Sequence, residues 1–264
     1  MNYIQRGVSP DELSELLNVS SASFCVSDEQ RATLAQRFRA LSSAQRLRVD
    51  AWMVERRGEG GRSFAWSPLT ARRSIGNAAL RRSIFSGDLT VIVNEIIDEH
   101  LHRVARGYAR PGSLGHWLAN VPDAVRALVA SDALTWATVS LETLDSFGAP
   151  FTVAPADAYY DVAGVRVSLR GRRDATFPTE NGRVMVRLRT GLPAPTAIAG
   201  LRADLAVDAL SHINGVAPQR IVGVWPEAGI SLSVDGTEEA VRAGARDLMR
   251  AALTQHRAVL TNAA

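Results

Sequence analysis

The stretch RVMVRLRTG, residues 183–191, has the alternating pattern of a buried β-strand and ends in a Thr-Gly turn. One set of alternate positions holds only valine and leucine, and the other runs through Met185, Arg187 and Arg189. Because successive side chains of a strand point to opposite faces, the two arginines are expected to share the face of Met185. Two permanent cations in a buried strand require either internal partners or an anionic ligand.

The segments on either side of this strand predict a mixed β-sheet. Upstream, residues 159–177 indicate one or two strands, whose end forms a hairpin with the quoted strand across PTENG. Downstream, a helix is followed by the strand QRIVGVW, a short strand and a last helix. This order predicts an α/β fold in which a mixed β-sheet is flanked by helices, preceded by a mostly helical N-terminal half.

The N-terminal half shows repeated helix signals. Ser9 opens a capping box, in which a glutamate follows the capping serine by three residues. Residues 43–57, SAQRLRVDAWMVERR, predict a third helix because Leu47, Ala51 and Val54 would then lie on one face.

A glycine-rich run, GEGGRS, interrupts the helical pattern and predicts a boundary. We therefore divide the chain into a helical N-terminal region at 1–57, a Gly-rich linker or loop at 58–67, and an α/β domain at 68–264. The core of that domain spans about residues 150–264, where the hydrophobic period changes from helical to alternating.

The basic residues are unusual because all 30 of them are arginines. A lysine-dependent phosphate loop, a Schiff-base mechanism and a lysine general base are therefore excluded. The net charge is only +3, but arginines concentrate in two stretches, residues 56–82 and residues 166–189. Such stretches are typical either of solvated surfaces or of phosphate contacts. The candidate nucleic-acid contacts are Arg72, Arg73, Arg172, Arg173, Arg187 and Arg189.

Other features favour a cytoplasmic protein without a membrane segment. No window approaches the roughly 18 apolar residues of a transmembrane helix, and the first residues lack the apolar stretch of a signal peptide. The single cysteine, Cys25, excludes an intramolecular disulfide and a multi-cysteine zinc site.

The C-terminal half resembles the PD-(D/E)XK nuclease superfamily in its RecB-like branch. The resemblance covers about residues 159–225 and depends on the order of GRRDATF, VMVRLRTG and ADLAVDALSHINGVAPQRIVGVW. It implies a restriction-endonuclease-like core, with Asp174 at the position of the first catalytic carboxylate. It also implies that a histidine of an upstream helix, here His100, faces the site.

The chain departs from the family pattern at the catalytic positions. The family's acid-x-lysine is replaced by Arg187 and Arg189, and its helix tyrosine by Asp208, while Asp204 keeps an acidic residue on that helix. A permanent cation at position 187 disfavours Mg²⁺, and arginine cannot relay a proton at neutral pH. We therefore expect no metal or other cofactor, although Asp174 is the residue that would hold a metal if one were bound.

Two roles are open for the arginines of this strand. One of them can form a self-contained ion pair with Asp174, which we favour because a buried charge needs a partner. Alternatively, both can clamp a phosphate.

Three functions follow as hypotheses. The first is a catalytically impaired nuclease-fold module that binds DNA or a protein partner. The second is an active Mg²⁺-dependent nuclease with relocated carboxylates. The third is a protein-interaction subunit that makes no contact with nucleic acid. The carboxylates available to the second are Asp174, Asp204 and Asp208, together with Glu95 or Glu99.

Overall fold

The computed structural model describes residues 8–20, 22–39, 46–55, 65–83 and 87–263, with side chains as far as His256. They belong to two compact units. The first combines Met1–Gly60 with Phe147–Ala264, and the second is Gly61–Ser146. The predicted α/β fold class, with a mostly helical N-terminal half, is confirmed.

The first unit contains both ends of the chain. Its elements, in chain order, are α1 Pro10–Leu17, α2 Asp28–Arg39, β1 Leu47–Asp50, α3 Trp52–Glu55, β2 Thr152–Val153, β3 Ala158–Asp161, β4 Val167–Gly171, β5 Ala175–Thr179, β6 Gly182–Leu188, α8 Ala197–Ser211, β7 Arg220–Trp225, β8 Ile230–Asp235 and α9 Glu238–Ala263. The second unit supplies the helices between α3 and β2, namely α4 Pro68–Arg82, α5 Leu89–Ala105, α6 Leu114–Asn120 and α7 Asp123–Asp145.

The described strands form two mixed sheets. The larger has the order β2-β5-β6-β7-β8, in which β6 and β7 are parallel and the other neighbours are antiparallel. The smaller has the order β1-β4-β3, with β1 parallel to β4. The predicted hairpin is present, because β5 pairs with β6 from Ala175 opposite Val186 to Thr179 opposite Gly182.

Helix α8 connects β6 to β7 and packs against strands of both sheets. Close packing depends on glycine at two points. A Cβ at Gly171, the last residue of β4, would lie 2.9 Å from the Val207 side chain of α8. A Cβ at Gly244 of α9 would lie 2.0 Å from the Arg202 carbonyl oxygen. The main apolar core lies around α8, which places the end of β4 directly against this helix.

The prediction of a third helix over residues 43–57 is wrong for residues 47–50 and is met only at residues 52–55. Residues Leu47–Asp50 form β1, which is followed by the four-residue helix α3. Leu47, Val49 and Ala51 are buried at alternate positions, and the Ala51 N–H donates to the Arg170 carbonyl at 2.8 Å. Leu47, Ala51 and Val54 also fit the helical period, so pairing with β4 decides between two patterns that the sequence allows.

The second unit is helical and has its own core, which includes Ile75, Ile92, Leu118 and Val129. The structure therefore groups the chain differently from the predicted division, because β1 joins the N-terminal region to the C-terminal sheet. Most of the predicted 58–67 linker, together with Arg56, Arg57 and Arg62, lies outside the described residues. Within the described ranges, no helix is both long enough and apolar enough to cross a membrane.

Candidate functional site

The candidate site lies where the start of β5, the end of β6 and the middle of α8 meet. Asp174 immediately precedes β5, and its N–H donates to the Val186 carbonyl oxygen at 3.0 Å. This register places Asp174 beside Arg187 of β6. Asp204 lies at the middle of α8 and is buried, as is Asp174.

Arg187 bridges these two carboxylates. Its Nη1 donates to Asp174 Oδ2 at 2.8 Å and its Nε donates to Asp204 Oδ2 at 3.0 Å. The Arg187 side chain is only 2% exposed. We call Asp174, Arg187 and Asp204 the inner cluster. The ion pair between Asp174 and an arginine that the sequence favours is thus present.

Backbone groups complete the inner cluster. The Leu188 N–H donates to Asp174 Oδ2 at 2.8 Å, and the Arg172 N–H donates to Asp204 Oδ1 at 2.7 Å. Burial acts to lower the pKa of Arg187, but Asp174 and Asp204 outweigh it, so the net pKa is above its ordinary value. The guanidinium therefore stays charged in the range where proteins are folded.

The inner cluster does not fit the Mg²⁺ that the family resemblance would imply under the active-nuclease alternative. A divalent cation needs oxygen lone pairs directed at one point. Here, the Oδ2 atoms of Asp174 and Asp204 both accept hydrogen bonds from the guanidinium of Arg187. Across the described parts of the chain, no group of three or more His, Cys, Asp or Glu residues is arranged to hold a metal ion.

Arg189 lies two residues after Arg187, on the same face, and is also buried. Its partner is Glu55, which was not predicted from the sequence. Its Nη2 lies 2.7 Å from Glu55 Oε2, and its guanidinium lies 6.0 Å from the centroid of the Trp225 ring. Within the described residues, its Nε has no hydrogen-bond partner. Burial, followed by repulsion from Arg187, lowers the pKa of Arg189. Glu55 could not be found from local sequence because the segment before it was predicted as a helix.

Asp208, one turn beyond Asp204 on α8, has different partners. Its Oδ1 accepts from Arg173 Nη1 at 3.2 Å and its Oδ2 accepts from Arg183 Nη2 at 2.6 Å. We call Asp208, Arg173 and Arg183 the outer cluster, because the Arg173 and Arg183 side chains are 35% and 20% exposed. The predicted remnant site is therefore divided into two separately neutralised groups.

Arg172 differs from the other arginines near the site. Its side chain is partly buried, and burial followed by repulsion from Arg187 lowers its pKa. The neighbouring arginines each have a carboxylate partner; they are Arg170, Arg173, Arg183, Arg187 and Arg189. In the part of the chain that the structure describes, no carboxylate lies within ion-pair distance of the Arg172 guanidinium.

The outer face of the smaller sheet lies beside Arg172. Arg170 binds Asp157 through two hydrogen bonds, one of them from Nε at 2.7 Å. Tyr159, which is 50% exposed, has the guanidinium of Arg48 5.6 Å and that of Arg170 5.7 Å from its ring centroid. This face therefore combines an exposed aromatic ring with arginines whose charges are largely compensated.

Three other sequence candidates belong to the second unit, and two more are inaccessible. His100 lies on α5 and Arg72 and Arg73 on α4, all in the second unit, whereas both clusters belong to the first. Burial, followed by repulsion from Arg103, lowers the pKa of His100. The prediction that Arg187 and Arg189 contact nucleic acid needs correction, because both are buried and occupied by carboxylates.

Comparisons with known proteins add little. No family model and no curated protein matches the chain. The crystal structure of SSO0001 is similar over 83% of this chain and 84% of that chain, with 12% sequence identity and a TM-score of 0.31. A likeness at that TM-score carries no argument about fold family or function.

Proposed function

We propose that this chain is a module of PD-(D/E)XK-like fold that binds DNA phosphates and does not cleave DNA. The position of the Arg187 guanidinium between the carboxylates of Asp174 and Asp204 supports the proposal most strongly. In the family that the sequence resembles, two carboxylates hold a divalent cation, one at the position of Asp174 and one at the position that Arg187 occupies here. In this chain the Arg187 guanidinium stands in place of the second carboxylate and satisfies both Asp174 and Asp204 from within the protein.

The chemistry of the inner cluster argues against hydrolysis. Metal-dependent nucleases need a cation that lowers the pKa of a bound water and stabilises charge on the phosphate. A guanidinium has no coordination position for water, and its proton is not available at neutral pH. Arg189, which stands at the position of the family's lysine, is bound to Glu55 and likewise cannot transfer a proton.

Arg172 supports the DNA-binding part of the proposal. It is a partly buried cation without a carboxylate partner among the described residues, next to the inner cluster. A phosphate oxygen would supply the charged acceptor that this guanidinium lacks. Phosphate contacts of this kind give DNA affinity that is independent of sequence and sensitive to salt.

The alternative of an active nuclease with relocated carboxylates has weaker support. Asp208 is bound by two arginines in the outer cluster. Glu99 accepts two hydrogen bonds from Arg82, at 2.8 and 2.7 Å, in the second unit. These ion pairs occupy the oxygens that a relocated metal site would need.

A cleavage assay tests the first half of the proposal. Labelled single- and double-stranded DNA are incubated with the protein in Mg²⁺ or Mn²⁺, alongside the Asp174→Ala variant. We expect no cleavage beyond that of the buffer in either preparation. Metal-dependent cleavage that disappears in Asp174→Ala would overturn the proposal and support the relocated site.

A binding assay tests the second half. Fluorescence anisotropy of labelled DNA is measured between about 50 and 200 mM salt for the wild type and for Arg172→Ala. We expect Arg172→Ala to weaken DNA binding about 5- to 10-fold. The slope of the logarithm of the binding constant against the logarithm of the salt concentration should become shallower by about one unit, which corresponds to one lost phosphate contact.

Arg46→Ala is the matched control for that assay. Arg46 is exposed and its charge is already compensated by Asp161 at 2.5 Å, so its loss should change DNA affinity less than twofold. Absence of DNA retention at low salt, or equal effects of the two variants, would contradict the role of Arg172.

A further inference from the structure

A half-open groove lies between α2 and α9 of the first unit, and no residue of the inner or outer cluster lines it. Its volume is about 680 Å³, within the range of roughly 300–1,000 Å³ that is common for binding pockets. Its floor is apolar, with Val26 and Leu34 buried and Phe24 and Met249 half-buried. Apolar surface that remains accessible in such a groove is typical of an interaction site.

The rim of the groove is strongly basic. Arg242, Arg246 and Arg250 follow one another at four-residue intervals, so they form one row along α9. Arg37 of α2 also lines the groove. Among the described residues that line it, Glu29 is the single acidic side chain.

Part of this positive charge is uncompensated. Arg242 pairs with Glu238 and Arg250 pairs with Asp247, and in both pairs the arginine side chain is 64% exposed. Arg37 and Arg246 have no carboxylate within ion-pair distance in the described residues. Exposed pairs on a helix are weak, so an incoming carboxylate can replace them at little cost.

We propose that this groove docks an amphipathic helix of a partner protein whose apolar face is flanked by Asp or Glu residues. The apolar floor matches the apolar face of such a helix, and the arginines match acidic residues at its edges. This surface and its partner are independent of the proposed DNA binding.

The composition of the groove favours a helix over an extended peptide. Its two long walls, α2 and α9, are helices, whose backbone groups are satisfied internally. The extended segment that also lines it already pairs with the chain at Gly215 and Ala217, through the Val26 N–H and the Phe24 carbonyl oxygen. The groove therefore favours side-chain contacts over β-augmentation. A bound helix brings its own backbone hydrogen bonds, so it needs only side-chain contacts. Nucleic acid is disfavoured because the accessible floor consists of aliphatic and sulfur-containing side chains, with Phe24 as the aromatic member of the lining.

Peptide binding by the full chain tests the proposal. The probe is a fluorescein-labelled 15-residue amphipathic peptide with leucines on one helical face and glutamates on both flanks. A matched peptide carries lysine in place of every glutamate. We expect the acidic peptide to bind at least tenfold more tightly than the lysine peptide.

Two protein variants locate the binding. Arg37→Glu/Arg246→Glu reverses the unpaired charges of the rim and should weaken acidic-peptide binding at least tenfold. Arg39→Glu is the matched control, because Arg39 is exposed on α2 but does not line the groove. It should change the affinity less than twofold. Circular dichroism establishes that both variants keep the wild-type fold.

Several results would overturn the proposal. The first is failure of the acidic peptide to bind the wild type. The second is a lysine peptide that binds as tightly as the acidic peptide. The third is a double variant that binds the acidic peptide as tightly as the wild type does. A wild type that binds DNA or anionic vesicles but not the acidic peptide, with that binding lost in the double variant, would assign the groove to those ligands instead. If the wild type binds the acidic peptide but not DNA, the proposed DNA-binding function is contradicted and the proposed helix-docking groove is supported.

Discussion

The inner and outer clusters use the same residue types on the same helix but differ in burial. Asp204 and Asp208 lie one turn apart on α8, and arginines neutralise both. In the inner cluster the arginine is 2% exposed, whereas the arginines of the outer cluster can still reach water. Removing one partner of an ion pair costs little free energy when the remaining charged group can return to water. The cost is larger when the remaining group is buried, because it cannot recover its hydration.

This difference suggests separate roles for the two clusters. The inner cluster links β5, β6 and α8 and satisfies itself, so it is suited to holding the sheet against the helix. The outer cluster joins the same elements closer to solvent, with single hydrogen bonds between each arginine and Asp208. Arg172, which lacks a described carboxylate partner, is the arginine of this region whose charge remains available to a ligand.

The largest effect is expected from Arg187→Met, which keeps the length of the side chain and removes its charge. Two buried carboxylates would lose their shared partner, and the free energy of unfolding should fall by about 3–5 kcal/mol. Urea denaturation of the wild type and the variant measures the difference. A loss below about 1 kcal/mol would mean that the inner cluster is not as buried as the structure shows.

A triple variant should recover about half of that loss. Asp174→Asn/Arg187→Met/Asp204→Asn removes every charge of the inner cluster, and each asparagine keeps an oxygen for the N–H of Leu188 or Arg172. We expect stability about 2 kcal/mol above that of Arg187→Met, because no ion remains unpaired. If the triple variant were less stable than Arg187→Met, unpaired charge would not be the cause of the first loss.

Arg187→Asp should create a metal site in place of the inner cluster. Three carboxylates would then converge at the position that the resemblance assigns to Mg²⁺. Binding should raise the stability of this variant by about 2 kcal/mol once Mg²⁺ exceeds its dissociation constant about 30-fold. Thermal unfolding with and without Mg²⁺ measures this, with the wild type as control. An equal response of both proteins would break the argument that Arg187 is what excludes the metal.

The smallest effect is expected in the outer cluster. Asp208→Asn retains the size of the side chain and leaves Arg173 and Arg183 free to reach solvent. We expect a loss of about 1–2 kcal/mol, smaller than that of Arg187→Met. The same urea titration makes the comparison. Equal losses in the two variants would remove the distinction between the clusters.

The residues of the larger sheet were predictable because their pattern is local. The alternation over residues 183–191 predicts β6, and the PTENG turn predicts its pairing with β5. Once β5 and β6 are adjacent, Asp174 lies beside Arg187. Because a buried cation needs a partner, the ion pair between them could also be predicted.

The remaining features depend on contacts between distant segments. Glu55 pairs with Arg189 only because β1 adds to the smaller sheet, and the sequence of β1 fits the helical and the strand periods equally. The assignment of Asp204 and Asp208 to different arginines depends on how α8 sits on β4 and β6. The groove between α2 and α9 likewise has no local signal, since its walls come from opposite ends of the first unit.

The most direct test of the guanidinium's role is a crystal of the wild-type protein grown with Mn²⁺, with data collected at the manganese absorption edge. We expect no anomalous peak at Asp174 or Asp204, and density for the Arg187 guanidinium between their carboxylates. A manganese peak bound to either carboxylate, with Arg187 displaced, would contradict the proposal that Arg187 occupies the place of a metal ion in this chain.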